Sequence, residues 1–207
     1  MVTPSAAAPR LREHLPLAVG AVVLVTLAAF LDRAVGTALP AMLRDLGAVR
    51  AFGLVNAAPA ATFLAALSLG GAWADRVGAV PVLRAGAATF TVSQALVGSA
   101  PSASVVVLGR LAGGVGEAWV DVSLLVLVAQ RLPATLRPRM FAVFSAAWVL
   151  PSVLGPFVTG VVTERLGWRW VFLGVLPLLP PAWLLLRTAL GRAQPLPGDP
   201  APQRSGA

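Results

Sequence analysis

The chain has 207 residues, 57% of them hydrophobic and only 12% charged, with a mean hydropathy of +0.83. A water-soluble domain carries about 25% charged residues, so lipid is the solvent this composition fits. The lack of Cys excludes disulfides, thiol catalysis and thiolate metal sites, and the net charge of +8, carried wholly by arginine, would suit nucleic acid only if the arginines formed one compact face.

They do not. A helix needs about 20 apolar residues to cross about 30 Å of hydrocarbon. Six segments qualify, near 15–39, 53–74, 81–100, 104–130, 139–162 and 170–190. The first, apolar from Leu15 to Leu31, is longer than a signal-peptide core and is followed by no A-x-A cleavage pattern, so it is expected to stay as a span. Residues 1–14 then form an N-terminal tail, 15–190 a six-helix bundle, and the Pro-rich 191–207 a disordered C-terminal tail.

The loops are short, so arginine bias sets orientation. With the N-terminus inside, Arg10, Arg12, Arg76, Arg84, Arg131, Arg137, Arg139, Arg187, Arg192 and Arg204 lie on the cytoplasmic side, against Arg44, Arg50, Arg165 and Arg169 outside. The bias places both termini in the cytoplasm and disposes of a nucleic-acid partner. Trp73, Trp168 and Trp170 fall where an aromatic belt would sit.

The first span contains FLDRAVGTALPAMLRDLG (30–47), and the second ends in GGAWADRVG, in which Gly71, Asp75, Arg76 and Gly78 form G-x-x-x-D-R-x-G. The fourth opens with LGRLAGGVG (108–116), and the fifth and sixth read SVLGPFVTGVVTERLGWRWVF (152–172). In this order the four stretches resemble motifs of the major facilitator superfamily of transporters, and most nearly those of the N-terminal half of its multidrug drug:proton antiporter branch. The resemblance implies an all-α integral membrane fold of six transmembrane helices, one half of a major-facilitator fold, built as two three-helix repeats. It implies secondary active transport, namely proton-coupled efflux of small amphipathic or drug-like compounds across the cytoplasmic (inner) membrane. Its partners would be the lipid bilayer, protons, a small-molecule substrate, and a second six-to-eight-helix half or a second copy of this chain. No cofactor or metal is implied. The resemblance also implies roles for residues: Asp32 and Arg110 in proton coupling, Asp75 with Gly71, Arg76 and Gly78 in a gating loop, and Gly155, Pro156 and Gly160 as the fifth-helix antiporter motif. Several positions depart from the pattern, Glu117 and Asp121 among them, where small or apolar residues are usual. Arg33 stands where Ser or Thr is usual, Thr159 where Gly is usual, and Ala79, Val80 and Pro81 follow the loop where basic residues are usual.

The fourth span carries Arg110, Glu117 and Asp121, although one charge near the bilayer centre costs at least about 2.5–3.5 kcal/mol. At 100° per residue Arg110, Gly114, Glu117 and Asp121 lie within about 60° of one another, on one polar stripe. Counted from the helix ends, Asp32 and Arg110 both reach the outer third of the membrane, so an ion pair is available. Glu117, about 10 Å from Arg110 along the helix, is too distant for a direct bond. It could exchange protons or attract a cationic substrate; alternatively it stays protonated and hydrogen-bonds a neighbouring helix. Asp121 could be hydrated by an inward-facing cavity. Trp119 and Trp148 lie deep enough to line an aromatic substrate cavity, or else pack against lipid. Gly155–Pro156 is expected to interrupt the fifth helix, and Gly155 and Gly160 to let another helix approach.

An enzyme is not expected. The single histidine, His14, lies in the N-terminal tail, which leaves no Ser–His pair and no usual metal-ligand set. The remaining alternative to a transporter is a truncated, non-transporting remnant or an accessory membrane subunit of the same family.

Overall fold

The computed structural model of the chain describes residues 11–132 and 134–192. The expected tail segments 1–10 and 193–207 lie outside them. In a hydrocarbon solvent each backbone N–H and C=O must find its partner within the segment, and helices are the local solution. The described residues accordingly form α1 (Leu11–Asp45), α2 (Phe52–Val77), α3 (Ala79–Gly98), α4 (Ala103–Arg131), α5 (Arg137–Leu166), a short α6 (Arg169–Leu173) and α7 (Leu179–Arg192), with no strand among them. Six stretches are long and apolar enough to cross a membrane: Ala18–Asp45, Val49–Val77, Ala79–Gly98, Ala103–Arg131, Arg137–Leu166 and Arg169–Arg187.

Several boundaries differ from the expectation. Helix α1 starts inside the expected tail, at Leu11, and runs through Pro40 to Asp45. The fifth helix is not interrupted: α5 is continuous over 30 residues with Pro151 and Pro156 inside it. Proline removes one backbone donor, and membrane helices absorb that loss by local adjustment. The break falls in the sixth span instead. Between Gly174 and Leu179 the chain tightens into a 3-10 turn over Leu176–Leu178, with the Leu178 N–H donating to the Val175 carbonyl at 2.9 Å. Pro177 has no N–H to continue the α-helical ladder.

The helices pack in two interlocked triplets. Helix α1 packs on α5 and α7, while α4 packs on α2 and α3. Exchanging spans one, two and three for spans four, five and six converts α1–α5 into α4–α2, and α3–α4 into α7–α1; all four contacts exist. The connections repeat as well. Asp75-Arg76-Val77-Gly78 closes α2 and Glu164-Arg165-Leu166-Gly167 closes α5. Gly78 and Gly167 both adopt left-handed φ, 87° and 93°, which a residue with a Cβ reaches only with strain. Each ends one helix and starts the next within a few residues. Alternating helix direction puts these two turns at opposite ends of the bundle, here called the Asp75 end and the Asp45 end, as an inverted repeat requires.

Backbone-to-backbone contact is closest along α4. A Cβ on Gly116 would lie 2.5 Å from the Phe90 nitrogen, and one on Gly86 would lie 2.9 Å from the Val120 nitrogen. A Cβ on Gly114 would collide with the Pro59 carbonyl and the Thr62 hydroxyl. That hydroxyl donates across the interface to the Leu111 carbonyl at 2.8 Å. The expectation for α5 needs correction on this point. A Cβ on Gly155 would meet Phe30 and Arg33 of α1 at ordinary contact distance, 3.6–3.8 Å, and one on Gly160 would meet nothing within 4 Å. In contrast to buried α4, the faces of α2 and α5 are largely open, with Leu64, Leu69, Val153 and Phe157 exposed.

Adding one methyl group should therefore separate the two glycine classes. Gly116→Ala forces backbone apart and is expected to cost about 1–3 kcal/mol, the range for overpacking, lowering the thermal midpoint in detergent. Gly160→Ala should leave it unchanged. Equal shifts in the two variants would contradict the packing.

Candidate functional site

The polar stripe of α4 is placed by the glycines beside it. With Gly114 seated on α2 and Gly116 on α3, Arg110 and Glu117 point into the bundle, each less than a tenth exposed. Arg110 Nη2 lies 3.9 Å from Asp32 Oδ1 of α1. The depths agree although α1 is longer than expected. Arg169 ties Asp45 to Ala100 and so levels one end of the bundle. From there Asp32 lies about 20 Å along α1 and Arg110 about 15 Å along the chain, a difference a guanidinium can reach. Asp32 therefore sits near the middle of its span rather than in the outer third.

The pair is an open one. At 3.9 Å it is an ion contact too long for a hydrogen bond, and the buried Arg110 Nε has no hydrogen-bond partner. Arg33 Nε lies 4.0 Å from the other oxygen, Asp32 Oδ2. Asp32 thus stands between two guanidiniums, one buried and one half-exposed. Gly155 of α5 packs against the Cβ of Arg33, which brings the Gly155–Pro156 turn to the α1 segment that carries the carboxylate.

Glu117 has no ion-pair partner among the described residues, and it opens on a cavity of about 680 Å³ between α1, α3, α4 and α7. Of the four expected cavity residues, this lining includes only Glu117. Asp121, one turn further on, is half-buried and has no ion-pair partner among the described residues. Trp119 turns the other way, toward α2, where it meets Trp73 edge-on at 5.2 Å and packs on Gly70. Its position on the helix, about half a turn from the polar stripe, directs it there. Trp148 packs, half-buried, on the apolar core. The tryptophan lining the cavity is instead Trp183 of α7, with Arg84 and Arg187. Only their spacing from helix ends, matched on two helices, could have singled these out in the sequence.

The gating residues belong to a helix rather than a loop. Asp75 and Arg76 occupy the last turn of α2, both exposed, and Gly78 alone makes the turn to α3. A Cβ on Gly71 would meet nothing within 4 Å. None of these residues touches a charged partner among the described residues.

At the other end lies a cluster that the sequence reading did not anticipate. Trp168, expected in the aromatic belt, is buried. Its Nε1–H donates to Asp45 Oδ2 at 3.0 Å, and Arg169 Nη1 donates to the same oxygen at 2.8 Å. Arg169 Nη2 donates to the Ala100 carbonyl at 3.2 Å, and its guanidinium lies 4.4 Å over the Trp168 ring. One arginine joins α1, the α3–α4 turn and α6. Trp170 is exposed, as a belt residue would be.

Comparison with known proteins extends these observations. The chain is 36% identical over 118 residues to the methylenomycin A resistance protein of Bacillus subtilis, covering 56% of this chain and 25% of that protein. It is 38% identical over 130 residues to the uncharacterized MFS-type transporter EfpA of Mycobacterium tuberculosis, covering 62% and 24%. It is 30% identical over 89 residues to an MFS-type efflux pump of Arthroderma benhamiae, covering 43% and 17%. The matched segments span about a quarter or less of these relatives. The sequence model of one family, the Major Facilitator Superfamily, matches residues 21–206. Since that match runs through every membrane span and the interlocked triplets alike, the chain belongs to the Major Facilitator Superfamily.

Proposed function

We propose that the chain supplies one half of a proton-coupled exporter of small amphipathic compounds in the cytoplasmic membrane, with both termini inside. The observation that carries this reading is the open Asp32–Arg110 pair within the bundle. A carboxylate held at 3.9 Å binds the guanidinium when ionised and frees it when protonated, so one proton changes the bond between α1 and α4. The names of the relatives, a resistance protein and an efflux pump among them, support export. Glu117 is a second proton site or an attractor of cationic substrate. Asp75 gates by meeting a second half, against which the open faces of α2 and α5 would dock; two copies of this chain paired in parallel rank second, since they would set like acidic stripes face to face. One observation favours another reading, a non-transporting accessory subunit: Arg33, 4.0 Å from Asp32, gives the carboxylate a second ion-pair partner, as a purely structural contact would have.

Orientation is read by fusing a reporter after Arg192. A cytoplasmic reporter should be active and a periplasmic one silent; the reverse would overturn the assignment.

Contact between Asp32 and Arg110 is read by a double-mutant cycle on stability in detergent. Arg110→Ala strands a carboxylate beside a void and should destabilise more than the joint Asp32→Asn, Arg110→Ala change, with a coupling energy of about 0.5–3 kcal/mol. Additive losses would contradict the pair.

Substrate handling is read on the chain reconstituted alone. A lipophilic cationic dye should bind, more weakly at lower pH because protons compete for the carboxylates, and Glu117→Gln should flatten that dependence while leaving the thermal midpoint in place. No proton-driven dye uptake should accompany binding. Uptake by the monomer would sink the two-half arrangement, and absence of dye binding at every pH would leave the accessory reading.

A further inference from the structure

The cavity between α3 and α7 is used by neither the ion pair nor the open faces of α2 and α5, which contribute none of its lining. Its volume, about 680 Å³, lies within the range of small-molecule sites, about 300–1,000 Å³. The chemistry of its wall is divided. Leu24, Phe90, Leu179 and Trp183 make an apolar body, while Arg84 and Arg187 mark one end.

The two arginines are matched in depth. Arg84 is five residues from the start of α3 at Ala79, and Arg187 five residues from the end of α7 at Arg192. Those helix ends share the Asp75 end of the bundle, so each arginine lies about 8 Å in from it. Both side chains are exposed, and neither has a hydrogen-bond or ion-pair partner among the described residues. The one acid of the lining, Glu117, stands fourteen residues from the α4 terminus at that end. It is thus about 13 Å deeper than the arginines, too far to neutralise them. A single arginine near a helix end snorkels to whatever headgroup passes. Two at one level, flanking one apolar cleft, make a fork for a phosphate that carries a hydrocarbon chain.

We propose that this cleft holds an anionic phospholipid, its phosphate between Arg84 and Arg187 and one acyl chain against Phe90, Leu179 and Trp183. The bilayer is the source of the ligand. A free inorganic anion would satisfy the arginines and leave the apolar body unfilled.

The test uses the full chain in phosphatidylcholine bilayers containing graded amounts of phosphatidylglycerol brominated on its acyl chains, or of phosphatidylcholine brominated in the same way. Bromine quenches tryptophan on contact, and the contribution of Trp183 is the difference between the native chain and Trp183→Phe. Half-maximal quenching of Trp183 should need a several-fold lower mole fraction of the anionic lipid than of the zwitterionic one. The double variant Arg84→Gln, Arg187→Gln should lose that preference, and Arg84→Lys, Arg187→Lys should keep it while preserving the charge of the site. Millimolar inorganic phosphate should leave quenching unchanged. Equal quenching by the two lipids, a preference that survives the double Gln change, or displacement by inorganic phosphate would each overturn the proposal, the last by showing a free-anion site.

Discussion

Contact between backbones, with no side chain between them, is the constraint on which the rest of the bundle depends. Gly114 and Gly116 are two residues apart, so they face different neighbours: α2 through the Pro59 carbonyl and α3 through Phe90. Helix α4 is pinned on two sides and cannot rotate about its axis without collision. Its orientation decides everything polar. It turns Arg110 toward α1, opens Glu117 onto the cleft beside α7, and presses Trp119 onto Gly70 and Trp73. In lipid, where apolar surfaces gain nothing by meeting each other rather than acyl chains, such close packing is the main force available between helices. The same glycines that hold the bundle together thus place its charges.

The two triplets are related but not identical. The contacts α3–α4 and α1–α7 are equivalent under the internal repeat, and the first is packed on Gly86, Gly109 and Gly116 where the second has Gly20 against the Leu186 backbone, with the arginine-rimmed cleft lying between the two triplets. The turn signature diverges as well. Asp75-Arg76 is exposed and makes no ion pair among the described residues, whereas the chain after Glu164-Arg165-Leu166-Gly167 continues into Trp168-Arg169, which bonds to Asp45 and Ala100.

Much of the architecture was legible in the sequence because lipid imposes it. Each apolar run of about 20 residues had to become a helix, and the order of short motifs identified the family before any coordinates did. Helix ends were less legible. Pro40, Pro151 and Pro156 look like breaks and are not, because the helices continue through them, whereas Pro177 does break its span. The Asp32–Arg110 contact could be anticipated from charge and depth. The bond from Trp168 to Asp45 could not, because the residues are 123 positions apart and each has a commonplace local explanation. The cleft lining was equally hidden: Trp183, Arg84 and Arg187 sit on two helices whose mutual rotation no local pattern specifies.

The Asp45 cluster bears on how this unit can move. Arg169 is bonded at once to the end of α1 and to the turn between α3 and α4, with Trp168 beneath it. At the opposite end Arg137 of α5 donates to the Leu132 carbonyl that follows α4, at 3.0 Å, a link between consecutive helices, and Asp75 and Arg76 make no ion pair among the described residues. With three elements tied at the Asp45 rim, a tilt of one helix against another would take that rim as its pivot. Displacement would then grow with distance from Arg169, so the Asp32–Arg110 contact, at intermediate height, would feel only a fraction of any opening at the far rim. An ion pair at that height would act as a latch on a small motion that the far rim amplifies.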